Sequence, residues 1–108
     1  MTKAERMALV AEKLPDICSY LRTDLGDDDE QVTNCATAAL DYIVGAVGTY
    51  DSESSKAYML LCAITQDLYD HRELTQSEQQ LKLRQSYTYQ TIILQLKLEY
   101  ELSQEEGS

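Results

Sequence analysis

Apolar residues recur at spacings of three and four along most of this chain, and that rhythm restricts it to helices packed on one another. Val32, Cys35, Ala36, Ala39, Leu40, Ile43 and Val47 follow it without interruption, and Ala57, Leu60, Leu61, Ile64, Leu68 and Tyr69 repeat it beyond a turn marked by Gly45, Gly48, Asp51 and Ser52. The first run predicts a helix that opens at Asp27-Asp28-Asp29-Glu30 and closes near Ala46. Any of the Asp residues is a good cap, and the remaining acids sit in a first turn where the helix dipole favours negative charge. Its face is built of small residues, which permit close helix approach. The second run predicts an amphipathic helix from about Ser54 to Arg72.

The flanks are read from local signals. Ala4, Met7, Ala8, Ala11 and Leu14 predict a short leading helix, and Pro15 is expected to end it, because proline disfavours helical geometry at the residue before it while permitting a new helix to start. A second helix then runs from Pro15 to about Thr23 with Ile17, Cys18, Leu21 and Leu25 on one face, and Gly26 ends it. Thr75 and Glu78 have capping-box spacing, which predicts a further short helix through Gln79 to Arg84.

Residues 87–102 carry an ambiguous pattern. Leu94, Leu96, Leu98, Tyr100 and Leu102 alternate with Gln95, Lys97, Glu99 and Glu101, which is the period of a strand. Leu, Gln, Lys and Glu are nonetheless better helix formers than strand formers, and Ile93, Leu96 and Tyr100 also share one helical face. Helix is the favoured reading, with an extended segment as the alternative. Either way the segment is apolar around much of its circumference, more than one small core needs. Ser103 to Ser108 is a polar tail expected to fray. The expected fold is therefore all-α, a small bundle of four to five helices. Residues 1–14 are read as an N-terminal helical extension, 15–74 as a helical core, and 75–108 as a linker and C-terminal segment.

Composition limits function. The 108 residues fit one domain, and at 44% hydrophobic the chain is far from a disordered composition. Its aromatics are eight Tyr with no Phe or Trp, and Tyr suits a half-wet boundary such as a subunit contact. Nine basic against nineteen acidic residues give a net charge of −10, which opposes attraction to nucleic-acid phosphates and anionic lipid. Cys18, Cys35 and Cys62 are odd in number and widely spaced in apolar helical patterns, as reduced core cysteines are. No signal peptide or membrane span is evident, so a cytoplasmic protein is expected.

Chemistry-bearing patterns are missing. His71, the lone histidine, lies at a predicted helix end in Tyr69-Asp70-His71-Arg72-Glu73, where a hydrogen-bonding or positive side chain suits the last carbonyls. Asp27 to Glu30 lacks the alternating oxygen ligands, central Gly and distal Glu of a calcium loop. There is no phosphate loop, nucleophile elbow or metal-ligand spacing. The expectation is a protein that is not an enzyme and that carries no cofactor and no metal.

Four stretches resemble the phage head-tail connector family, the adaptors that dock on the portal ring of tailed double-stranded DNA phages. Asp16-Ile17-Cys18-Ser19-Tyr20-Leu21-Arg22 before the acidic turn resembles the family's opening helix, which ends in Leu-Arg. The Ala-rich stretch from Ala36 through Tyr42 to Gly48 is similar to its second helix. Lys56 through Ile64 to Tyr69-Asp70-His71-Arg72 is similar to a third helix that starts at a basic residue and ends in a Tyr-x-x-Arg signature. Ile92-Ile93-Leu94-Gln95-Leu96-Lys97 resembles the C-terminal segment. The likeness spans roughly residues 15–74 and 92–100. It departs from the family in the leading helix and in His71, where Asn is common.

The resemblance implies a structural virion protein: a ring of about twelve subunits, joined head to tail through two complementary surfaces, seated on the portal vertex. Such a ring joins head to tail and continues the DNA exit channel. Its partners would be further copies of itself, the portal protein and a downstream stopper or tail-completion protein, with DNA passing through without specific binding. The chain would reside in the host cytoplasm before assembly and at the head-tail interface of the virion afterwards. Leu21, Arg22, Lys56, Tyr69 and Arg72 are the motif positions, and Ile93, Leu94, Leu96, Leu98 and Tyr100 are the expected portal-contacting residues. Completion of the subunit's own core is the competing role for those five. Two other classes remain open: an acidic helical inhibitor that imitates DNA charge, and a helical regulatory adaptor.

Overall fold

Every described element is an α-helix. In this computed structural model residues 2–22 and 29–106 are described, and they form α1 (Lys3–Leu21), α2 (Asp29–Val47), α3 (Ser55–Asp70), α4 (Gln76–Gln85) and α5 (Tyr87–Glu106). The all-α expectation holds, and residues 87–102 are helical, so the extended alternative is set aside. Ser103 to Glu106, expected to fray, continue α5. Thr23 to Asp28, including Leu25, Gly26 and the first two acids of the expected cap, lie outside the described residues, as do Gly107 and Ser108.

The two leading helices expected on either side of Pro15 are one. Pro15 lies inside α1, and Val10 on one side of it and Ile17 and Cys18 on the other are buried in the same core. An interior proline forfeits a backbone hydrogen bond and costs a helix roughly 3 kcal/mol. Burying a Val or Ile side chain returns about 1.5–3 kcal/mol each, so residues anchored on both sides of the proline outweigh the local break. The helix starts at a Thr2–Glu5 capping box, with the Glu5 amide donating to Thr2 Oγ1 and the Thr2 amide donating to Glu5 Oε1, both at 3.2 Å. It ends with Arg22 in the left-handed region, whose amide donates to the carbonyls of Cys18 and Ser19.

α2 is the centre of the bundle and packs against α1, α3 and α5. Cys35, Ala36, Ala39, Leu40 and Ile43 are buried along it, opposite Ala57, Leu60, Leu61 and Ile64 of α3. Gly45 does not interrupt α2, which runs to Val47 and is terminated by Gly48 at φ 106°. Gly48 is required for a second reason, because a Cβ there would stand 2.9 Å from the Tyr100 ring. α3 begins at the Ser54 cap, whose hydroxyl accepts from the Ala57 amide at 3.1 Å, and ends at Asp70 rather than at Arg72. The Thr75–Glu78 capping box forms as expected and opens α4, which buries only Leu83. In both boxes the amide of the threonine, and then its hydroxyl, hold the glutamate below the usual carboxylate range.

Cross-helix pairs fix the directions. Arg6 of α1 is paired with Asp41 of α2, and Lys13 of α1 lies 5.8 Å over the Tyr58 ring of α3. Lys56 Nζ and Glu99 Oε1 are 2.9 Å apart, and the Tyr89 hydroxyl donates to Asp67, so α5 runs antiparallel to α3. Gln90 reaches the Tyr42 hydroxyl and Tyr100 reaches Gly48, so α5 runs parallel to α2. The three cysteines are buried free thiols. Among the described residues no helix is long and apolar enough to cross a membrane.

Candidate docking face on α5

A helix turns by about 100° per residue, so residues two apart lie nearly opposite each other. The even-numbered apolar residues from Leu94 to Leu102 therefore fall on two faces of α5. Ile93 and Leu96 are 6% and 7% exposed, whereas Leu94, Leu98 and Leu102 are 57%, 51% and 58% exposed and Tyr87 is 85% exposed. The strand-like alternation is the sequence image of a helix with two opposed apolar faces.

The five expected contact residues divide accordingly. Ile93, Leu96 and Tyr100 form the inner face with Tyr89 and Ile92, packed on the core. Leu96 and Tyr100 also line a cleft of about 330 Å³ with Ile43, Val47, Ala57 and Glu99, between α2, α3 and α5. Leu94 and Leu98 belong to the outer face, which continues one turn further to Leu102 and back through Thr91 to Tyr87. Leu102 and Tyr87 are the members that sequence reasoning left out. Their signal is the helical spacing 87, 91, 94, 98, 102, visible once the segment is read as a helix.

The outer face has a defined charge pattern. From Tyr87 through Leu98 it presents no ionisable carboxylate or basic group, and Glu101 and Glu105 border its C-terminal end. Lys97 and Glu99 flank it on its two sides, and Glu99 is tied to Lys56 of α3, which holds that side of α5 to the bundle.

The motif positions do not converge on one site. Leu21 packs partly buried against the core, and Arg22 is the α1 cap. Lys56 joins α3 to α5. Tyr69 and Arg72 pair locally: the guanidinium lies 4.5 Å from the Tyr69 ring centroid and donates to the Tyr69 carbonyl at 2.6 Å.

A polar node that sequence reasoning missed sits where α3, α4 and α5 meet. The Tyr89 hydroxyl donates to Asp67 Oδ2 at 2.6 Å, Lys82 Nζ lies 3.6 Å from Asp67 Oδ1, and His71 Nδ1 lies 3.0 Å from the Asp67 carbonyl. Burial first, and then the Asp67 carboxylate, push the Tyr89 hydroxyl well above the ordinary tyrosine range, so it stays protonated as the donor. His71 caps α3, in keeping with the structural role expected of it. Its i,i+4 spacing from Asp67 is the one trace of this node in the sequence. The node fastens three helices, and among the described residues no group of His, Cys, Asp and Glu could hold a metal ion.

No protein-family model, curated protein or solved structure matches the chain.

Proposed function

We propose that this protein is a structural assembly module of the head-tail connector type, which joins a ring on a phage portal vertex and docks through the outer face of α5. The observation that carries the docking element is the second apolar face of that helix, Leu94, Leu98, Leu102 and Tyr87, set opposite the face that completes the core. Soluble proteins seldom leave such a stripe without a partner. The connector assignment itself draws on the likeness across residues 15–74 and 92–100. A net charge of −10 suits a channel component that lets a duplex pass without gripping it. No residue is assigned a catalytic role in this reading.

The test is whether the chain enters virions. It is expected in purified particles and in complex with the portal, while a Leu94→Glu/Leu98→Glu double variant folds normally and is lost from both. Point substitutions are the right probe, because deleting residues 92–108 would also strip Ile93 and Leu96 from the core. Absence from virions, together with capture of a DNA-processing enzyme by the isolated chain, would replace this reading with that of an acidic inhibitor.

A further inference from the structure

We infer that the outer face of α5 is also a self-association face, on which two copies of this chain pair antiparallel, α5 against α5, around a two-fold axis near Leu98. The inference stands apart from the adaptor reading, since it concerns the free chain. The two occupants would use the face in turn, so pairing would mask it before docking.

Charge selects both the occupant and the direction. Most surfaces of a chain with net charge −10 repel a second copy, but the stripe from Tyr87 to Leu98 is free of formal charge. Parallel pairing would stack Glu101 on Glu101 and Glu105 on Glu105. Antiparallel pairing instead sets Glu101 beside Gln95 and Glu105 beside Thr91 of the other copy, both uncharged, and brings Glu105 towards the positive end of that helix's dipole. It also sets Leu94 against Leu102 of the second copy, with Leu98 facing Leu98. The spacing of four and then four keeps these residues in one stripe along a helix some 30 Å long.

Area sets the strength. With the axis at Leu98, Tyr87 lies beyond the end of the other copy's helix, so Leu94, Leu98 and Leu102, each just over half exposed, carry the contact, well short of the roughly 800 Å² per partner of a standard stable interface. The dimer is therefore weak and reversible, with dissociation in the micromolar range, as a face later handed to another partner requires.

Sedimentation of the full chain over a concentration series is the first measurement. A monomer–dimer equilibrium is expected, and Leu98→Glu should weaken it at least tenfold while the far-UV dichroism stays unchanged. Leu102→Glu, one turn on, serves if Leu98→Glu disturbs the fold. Cross-linking then tests direction. Leu98→Cys should form a disulfide between copies, because the axis brings the two positions into bonding range. Leu94→Cys should not, because antiparallel pairing separates its two copies by about 12 Å along the axis. Cys18, Cys35 and Cys62 are buried, and the parent chain is the control. A strict monomer at several hundred micromolar protein would overturn the proposal. So would an assembly that survives both Glu variants, or Leu94→Cys cross-linking as readily as Leu98→Cys. Dimerisation with no virion incorporation would count against the adaptor reading alone, and incorporation by a strictly monomeric chain against this inference alone.

Discussion

α2 and α5 are nearly the same length, 19 and 20 residues, and lie side by side in the same direction, yet they spend their apolar residues differently. α2 gathers Val32, Cys35, Ala36, Ala39, Leu40, Ile43 and Val47 into a face that meets three other helices. α5 divides its own between Ile93 and Leu96 inside and Leu94, Leu98 and Leu102 outside. α2 is the more apolar of the two, and the phase of the apolar residues around the axis separates them further. A helix that gathers them is committed to the fold, and one that opposes them leaves part of its apolar surface exposed.

That contrast yields a graded set of outcomes. The largest belongs to α2: Leu40→Ala should cost about 2–5 kcal/mol in urea denaturation, since a fully buried leucine leaves a cavity on truncation. On the inner face of α5, Leu96→Ala should cost about 2 kcal/mol, because the site sits at the edge of the bundle and can partly collapse. A loss as large as that of Leu40→Ala would make α5 as central as α2. At their junction, Gly48→Ala should cost about 1–2 kcal/mol, from a side chain at positive φ and a clash with Tyr100. Tyr89→Phe removes the bond to Asp67 and should cost about 1 kcal/mol. The smallest effect is expected on the outer face, where Leu98→Ala should leave stability within about 0.5 kcal/mol of the parent. A greater loss there would erase the distinction between the two faces.

The tyrosines add a pH dependence whose sign follows from their burial. Desolvation pushes Tyr50 up to about 12 and also raises Tyr58 and Tyr89, so the folded chain keeps protons that the unfolded chain releases from about pH 10. Their contribution is complete below pH 10 and is lost as pH climbs towards 12. Denaturation midpoints should fall over that window, and Tyr89→Phe should flatten the fall.

α2 and α3 are legible in the sequence because their apolar spacing is regular and their ends carry strong local signals, Ser54 at one and the Gly48 turn at another. The Thr75–Glu78 box is legible for the same reason. Pro15 misleads, because a local rule sees the lost hydrogen bond and not the core that holds Val10 and Ile17 on either side of it. The Ser103–Glu106 tail misleads in the opposite way, its polar residues continuing a helix already nucleated at Tyr87. Leu94 and Leu98 can be named from composition, but separating them from Ile93, Leu96 and Tyr100 requires the helical phase. The Asp67–Lys82–Tyr89 node is out of reach of sequence, since it joins residues from three helices and leaves only the Asp67–His71 spacing as a trace.

The bonds that seat α5 reach far back along the chain: Gln90 to Tyr42 and Glu99 to Lys56 close loops of more than forty residues, while α1, α2 and α3 meet as sequence neighbours. Long loops are costly to close before their contacts form, so α1 to α3 are expected to assemble before α5 settles on them. The amides of α5 are then expected to exchange before those of α2, which carries more of the buried core, so the outer leucines ride on a helix that can loosen without dismantling α1 to α3.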